Sequence, residues 1–202
     1  MPLNFDPQKD YIPQDERVLL RPLKLNDFDK LLPFALNEPE TWRYSSKTAG
    51  SADLMKAYID EALEARAKGS EYPFIVFDKQ ANAYAGSTRF YDIQVANGAL
   101  QLGYTWYGKS FRGTGMNKHC KFLLLQLAFE TLGAHRVEFR ADARNEVSIA
   151  AMKSIGCTVE GVLRSHRILR EGGRGDSIVL SILKDEWLGD VKERLHAKLN
   201  SL

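Results

Sequence analysis

Two glycine patterns overlap between Leu100 and Gly133, in LQLGYTWYGKSFRGTGMNKHCKFLLLQLAFETLG, and each could hold a phosphate. Gly103 to Ser110, GYTWYGKS, fits the G-x-x-x-x-G-K-[ST] spacing in which backbone amides curl around a nucleotide's phosphates. Further on, Arg112 to Asn117, RGTGMN, stands where a β-prone run has ended and an apolar helix begins near Met116. The first N–H groups of a helix have no internal partner, and the helix dipole favours an anion beside them. Glycines in such a turn let successive amides converge on one anion, and Arg112 and Lys118 add positive charge.

Context separates the two patterns. The four positions inside GYTWYGKS are Tyr104, Thr105, Trp106 and Tyr107, bulky β-formers that suit an extended strand. A nucleotide loop would also start its helix at the Lys109-Ser110 pair, yet Phe111 to Gly115 intervene. No apolar strand ending in a magnesium-holding Asp follows; the strand that ends at Asp142 carries Glu138 and Arg140. A nucleotide hydrolase is therefore a remote alternative, and RGTGMN reads on its own residues either as a phosphate loop or as an ordinary glycine turn capping a helix.

The elements that must position this loop follow from pattern. Residues 1–16 read as an irregular N-terminal arm, and Arg17 to Leu23 alternates as a first strand. Asn26 is expected to cap a helix through Leu36, kinked or shortened by Pro33. Glu38 to Tyr44 is an aromatic segment of open form. Ser51 to Lys68 is amphipathic, with Leu54, Tyr58, Ile59, Ala62, Leu63 and Ala65 on one face, and Gly69 stops it. Tyr72 to Asp78, Ala83 to Ile93 and Leu100 to Tyr107 make an antiparallel meander. The helix ending at Gly133 should then cross over to Arg136–Asp142, making strands four and five a parallel pair. A second buried helix runs from Asn145 to Gly156, and Val159 to Leu169 with Asp176 to Leu183 forms a hairpin around REGGRG. Glu186 to Leu199 reads as a terminal helix. The fold class is α/β (α+β): one domain with a mixed, mostly antiparallel sheet of six or seven strands flanked by helices.

At 202 residues, with 44% hydrophobic and 27% charged residues, the chain can bury a full core. A net charge of +2 gives no support for nucleic-acid or membrane binding. No apolar run of about 18 residues is present and the start lacks an apolar signal core, so the cytoplasm is the expected compartment. Cys120 and Cys157 read as buried thiols, and His119, His135, His166 and His196 show no metal spacing with them, so no metal is expected.

RGTGMN resembles the R/Q-x-x-G-x-G/A acetyl-CoA loop of the GNAT superfamily of N-acetyltransferases. QLGYTW resembles the strand before that loop in the RimJ/RimL-type branch, which acts on ribosomal proteins and other amines. GSTRFYDI (Gly86 to Ile93), Asn145-Glu146-Val147-Ser148 with Ile155-Gly156-Cys157, and the segment Glu160 to Trp187 resemble later parts of the same branch, in order. The resemblance implies a catalytic domain over 17–187 with a C-terminal helix over 188–202. It implies acetyl-CoA as co-substrate, its pyrophosphate on the amides of Phe111, Arg112, Gly113, Thr114, Gly115, Met116 and Asn117, with the charge of Lys118 beside it. The pantetheine arm would pair with backbone of Leu102, Gly103 and Tyr104 where strands four and five splay. Asn145 would contact pantetheine or acceptor as well as cap its helix, and Ser148 matches the hydroxyl proposed to protonate the CoA thiolate. Trp42, Tyr44, Arg89 and Tyr91 fall where the acceptor pocket is expected. The acceptor would be a primary amine, either a protein N-terminus or a small molecule. Homodimers are common in the family, although no interface signature is legible here. Asn117 departs from the usual Gly or Ala, Gln101 from Glu, His119 from an acid, and Met152 from the Tyr that often protonates the leaving thiolate. Those departures keep a second outcome open, a CoA-binding regulator without turnover.

Overall fold

In a computed structural model, describing residues 1–45, 47–169 and 171–199, one seven-stranded sheet carries helices on both faces. The strands are β1 Val18–Pro22, β2 Tyr72–Asp78, β3 Ala83–Gln94, β4 Ala99–Tyr107, β5 Arg136–Asp142, β6 Thr158–Ile168 and β7 Arg174–Leu183. Their spatial order is β1-β2-β3-β4-β5-β7-β6, antiparallel everywhere except the central β4–β5 pair. The helices are α1 Phe28–Asn37, α2 Ala52–Ala67, α3 Met116–Gln126, α4 Glu146–Ser154, the single turn α5 Lys184–Glu186 and α6 Lys192–Leu199. Residues alternate sides along each strand, which produces two cores. Leu20, Phe74, Phe90, Leu102 and Phe139 face α3 and α6; Leu23, Ile75 and Trp106 face α1 and α2.

Several boundaries differ from expectation for local reasons. Asn26 caps nothing: it lies in a 3-10 turn, Leu25–Asp27, and α1 starts after Asp27. Pro33 neither ends nor shortens α1, which continues to Asn37. Glu38 to Tyr44 contains a 3-10 turn, Pro39–Trp42. Ser51 caps α2 through Leu54 N–H, but the buried stripe is Met55, Tyr58, Ile59 and Ala62, at i, i+3, i+4 and i+7, and Leu54 points outward. α4 is less buried than expected, with Met152 its one fully covered residue. The crossover helix passes from α3 into a wider π-helical turn, Leu127–Thr131, before Gly133 turns the chain at a φ of 75°. The terminal helix starts earlier than expected, at α5, and buries Trp187, Val191 and Leu195 against the α3 side. REGGRG and the C-terminal tail include Arg170 and residues 200–202, which lie outside the described residues.

Asp27 fastens the entry to α1. Its buried carboxylate accepts Arg21 Nη1 at 2.8 Å, Arg21 Nη2 at 2.6 Å, Lys30 Nζ at 2.7 Å and Lys24 N–H at 2.9 Å. Burial pushes its pKa up most strongly, but these donors together hold it below the ordinary carboxylate value. A lowered folded-state pKa stabilises the fold above the unfolded value of about 4, and the gain disappears as pH falls through the folded value. Asp27→Asn should leave Arg21 and Lys30 without their shared anion and cost about 3–5 kcal/mol in urea unfolding at pH 7. The gap between variant and parent should close as the medium is acidified.

Candidate active site

The centre of the sheet is built to come apart. β4 and β5 pair only at Ala99↔Arg136, Leu100↔Val137 and Gln101↔Glu138, and beyond Gln101 the strands diverge. The cause lies on the other edge of β4. Ser87 pairs with Trp106 and Arg89 with Gly103, so Tyr104 and Thr105 stand opposite the single residue Thr88. Such a bulge bends a strand and increases its twist. Tyr104 takes up the bend at a φ of 48°, uncommon for a bulky side chain. Its ring is held 4.5 Å from the Arg89 guanidinium and packs edge-on against Tyr91 at 5.0 Å. A side chain at Gly103 would collide with Tyr91, its Cβ falling 2.9 Å from Tyr91 Cε1.

From the end of β4 the chain makes a 3-10 turn, Lys109–Phe111, and then the glycine loop. Gly108 is required because Phe34 approaches within 2.3 Å of where a Cβ would stand. Gly113 and Gly115 adopt φ of 75° and 83°, open to glycine at little cost, and Gly115 leads directly into α3. The amides of Gly113, Thr114, Gly115, Met116 and Asn117 have no hydrogen-bond partner among the described residues. Five free N–H groups in succession at a helix N-terminus form an anion cradle. Phe111 N–H and Arg112 N–H are used internally, by Gly108 O and Lys109 O, so the row is shorter than the Phe111 to Asn117 span that the resemblance implied; Lys118 N–H, beyond it, is taken by Gly115 O. Arg112 does not reach into it. Its Nε donates to Tyr107 O at 2.8 Å and its Nη2 to Thr41 Oγ1 at 2.7 Å, bracing the loop. Lys109 adds a second brace through Glu38 and Glu40. GYTWYGKS is strand and turn, as context required, and cannot wrap a nucleotide.

α4 starts beside the fork. Asn145 Oδ1 accepts Ser148 N–H at 3.1 Å as a helix cap, and its amide NH2 remains without a partner among the described residues. Ser148 is half-buried. Just before them, buried Asp142 accepts Arg144 Nη2 at 2.8 Å and Nε at 3.0 Å, and these bonds hold its carboxyl below the ordinary range. Arg167 of β6 lies 3.5 Å away and also donates to Tyr44 O. Next to this cluster, Arg43, Tyr44, Arg144 and Glu171 line a cavity of about 250 Å³.

The four expected acceptor-pocket residues separate. Tyr44 lines that cavity and Tyr91 flanks Gly103 at the fork. Trp42 is instead packed against Trp106 and Tyr58 in the α1–α2 core. Arg89 is wholly buried, paired with Glu71 at 2.6 Å and stacked on Tyr58 as well as Tyr104. Both belong to the scaffold because an inward register on β3 and the turn before α2 carries them under the helices. Sequence reasoning missed Lys121, a buried cation on α3 near the fork; the signal was a lysine on the inner side of the apolar run Cys120 to Leu125. It also missed a group of three potential metal ligands, Asp15, Glu16 and His119, which only the folding of the arm brings together.

Comparison with known proteins identifies this geometry. The acetyltransferase (GNAT) domain model matches residues 17–158, and the chain belongs to that family of acyl-CoA-dependent acetyltransferases. It is 27% identical over 179 residues to the uncharacterized N-acetyltransferase p20 of Bacillus licheniformis, covering 86% of this chain and 97% of that protein. A solved structure assigned as an acetyltransferase from T. thermophilus is 34% identical, with a TM-score of 0.82 over 93% of this chain and 96% of that one. RimL, the ribosomal L7/L12 α-N-protein acetyltransferase solved with coenzyme A, shares the fold at 19% identity, with a TM-score of 0.77 over 87% of this chain and 99% of its own. Among the described residues no helix is long and apolar enough to cross a membrane.

Cys120 and Cys157 are buried, and burial pushes both thiols up to about 12. Thiol titration with an aromatic disulfide at pH 8 should therefore find neither in the native protein and both after urea is added.

Proposed function

We propose that the chain transfers the acetyl group of acetyl-CoA to a primary amine, as an N-acetyltransferase of the RimJ/RimL-like branch. The observation that carries this reading is the row of five free amides at the start of α3, set against the fork between β4 and β5. In this reading the pyrophosphate sits on Gly113 to Asn117. The pantetheine arm runs into the fork and pairs with backbone of Leu102, Gly103 and Tyr104 that β5 leaves free. A β4 amide there stabilises the oxyanion of the tetrahedral intermediate, which forms by direct attack of the amine without a covalent enzyme intermediate. The Asn145 amide NH2 holds the pantetheine arm, and the Ser148 hydroxyl hydrogen-bonds to the departing sulfur.

The acceptor reaches the thioester from the side of Tyr44 and Tyr91, past the cavity beside Arg144 and Glu171. A protein N-terminus and a small amine are both within this reading, in a cytoplasmic setting, with no nucleic acid or metal in the reaction. Replacement of the usual phenol by Met152 favours a second reading, a CoA-binding regulator, and turnover decides between them.

Calorimetry with acetyl-CoA and with magnesium-ATP, followed by thiol release over a panel of amines and N-terminal peptides, tests the assignment. Acetyl-CoA binding with thiol release is expected; binding without release for any amine would favour the regulator, and binding of ATP alone would overturn the reading. Gly115→Val forces a β-branched residue into left-handed backbone and should weaken CoA binding at least about 100-fold while the fold persists. Ser148→Ala should lower kcat about 10-fold with CoA affinity unchanged, given a hydrogen bond to charge of about 1.5–3 kcal/mol; unchanged kcat would remove Ser148 from the reaction.

A further inference from the structure

One cation stands on the inner face of α3. Lys121 is 6% exposed, surrounded by the apolar run that fills the α3 core. Its Nζ donates to Thr105 Oγ1 at 2.8 Å, and Thr105 in turn shares a 2.7 Å hydrogen bond with Thr88 Oγ1. The Phe139 ring lies 5.9 Å from the same nitrogen. No carboxylate pairs with Lys121 among the described residues, and the ionisable groups that face it are the thiols of Cys120 on α3 and Cys157 before β6. Burial pushes the ammonium down to about 8. A buried charge without a counter-ion is costly, and two of its three N–H donors have no acceptor among the described residues.

The location gives this cost a use. Thr105 lies on β4 beyond the last parallel rung, and Phe139 lies on β5 across the fork, so Lys121 spans the two diverging strands from the α3 side. One helical turn earlier, on the same face of α3, Asn117 presents a buried Oδ1 with no partner among the described residues. Polar atoms with no partner among the described residues, Asn117 Oδ1 and two of the Lys121 N–H groups, thus follow the loop along α3 into the fork, where a pantetheine arm would lie.

We propose that Lys121 binds the sulfur of CoA, its ammonium pairing with the thiolate released when the acyl C–S bond breaks. This rests on the acetyl-CoA reading above. The amine lone pair forms the C–N bond, the tetrahedral intermediate collapses, and the C–S electron pair goes to sulfur, which leaves as a thiolate beside Lys121. The proton lost by the amine nitrogen passes to solvent, and the thiolate takes a proton from water as CoA departs. Charge pairing at Lys121 then does the work for which relatives use a phenol at the position of Met152. An opposite charge in contact shifts a pKa by about 1–3 units, so a thiol near 8.5 would ionise at about 5.5–7.5 in the complex.

The test compares the wild-type protein with Lys121→Met, using CoA and desulfo-CoA in calorimetry and following thiolate absorbance of bound CoA against pH. The wild type is expected to hold the bound thiol at least about one pKa unit below its value in Lys121→Met, and to prefer CoA over desulfo-CoA about tenfold at pH 8. Lys121→Met should bind the two ligands equally and lose about 100-fold in kcat with little change in the acetyl-CoA KM. The same thiol pKa in both proteins would overturn the role of Lys121 while leaving acetyl-CoA binding intact. Failure of the wild type to bind CoA at all would overturn the acetyl-CoA reading, and this proposal with it. Should Lys121→Met not fold, Thr105→Val removes the anchor and keeps the charge; a thiol pKa moved upward by that change supports the proposal, and an unmoved one overturns it.

Discussion

A parallel pairing that lasts three residues governs this molecule. In an uninterrupted sheet every backbone group of β4 would be paired with β3 or β5, and no extended ligand could enter. Here the β4–β5 ladder ends at Gln101↔Glu138, and the bulge at Tyr104 keeps it ended. The bulge is held by side chains on the α2 side: Arg89, wedged between the rings of Tyr58 and Tyr104 and neutralised by Glu71, fixes the strained backbone from beneath. A backbone strain of about 1–3 kcal/mol is maintained only where surrounding contacts over-determine it, and a wholly buried, ion-paired guanidinium does so.

The cradle depends on the same contrast between committed and uncommitted groups. By charge alone Arg112 and Lys109 are the natural anion ligands of the loop, yet both are engaged with the turn between α1 and α2 through Thr41, Glu38 and Glu40. They position the loop, and the amides of Gly113 to Asn117 that follow have no partner among the described residues. The loop accommodates Asn117 at its end because the backbone needs glycine where φ is positive, at Gly113 and Gly115, whereas Asn117 already lies within regular helix.

Much of this was legible in the sequence because it rests on local periodicity. Local pattern located every strand, β2 and β5 to the residue, and the bulky β-formers Tyr104 to Tyr107 correctly outweighed a perfect letter match to a nucleotide loop. What escaped was set by tertiary register. Whether Leu54 or Met55 turns inward depends on where α2 meets the sheet, and the hydrophobic pattern accepts either. Trp42 and Arg89 looked like pocket residues because aromatic and basic side chains often are. Their burial follows from α1 and α2 closing over β3, which no spacing within either segment records. The cluster of Asp15, Glu16 and His119 needs an arm and a helix about a hundred residues apart to meet.

The two buried cations sharpen the point. Arg89 and Lys121 lie on opposite sides of the sheet, near the same bulge, and both are shielded from water. Arg89 has a carboxylate and two aromatic faces, so its charge is paired within the protein, although its Nε and Nη2 find no acceptor among the described residues, and its work is structural. Lys121 has one hydroxyl and one distant ring, and burial lowers its affinity for a proton. Had packing alone been required at that position, a methionine or leucine would fill it without the desolvation cost. An ammonium kept there without a counter-ion among the described residues is intelligible, under the proposal above, where the counter-ion arrives with the ligand as the thiolate of a pantetheine arm.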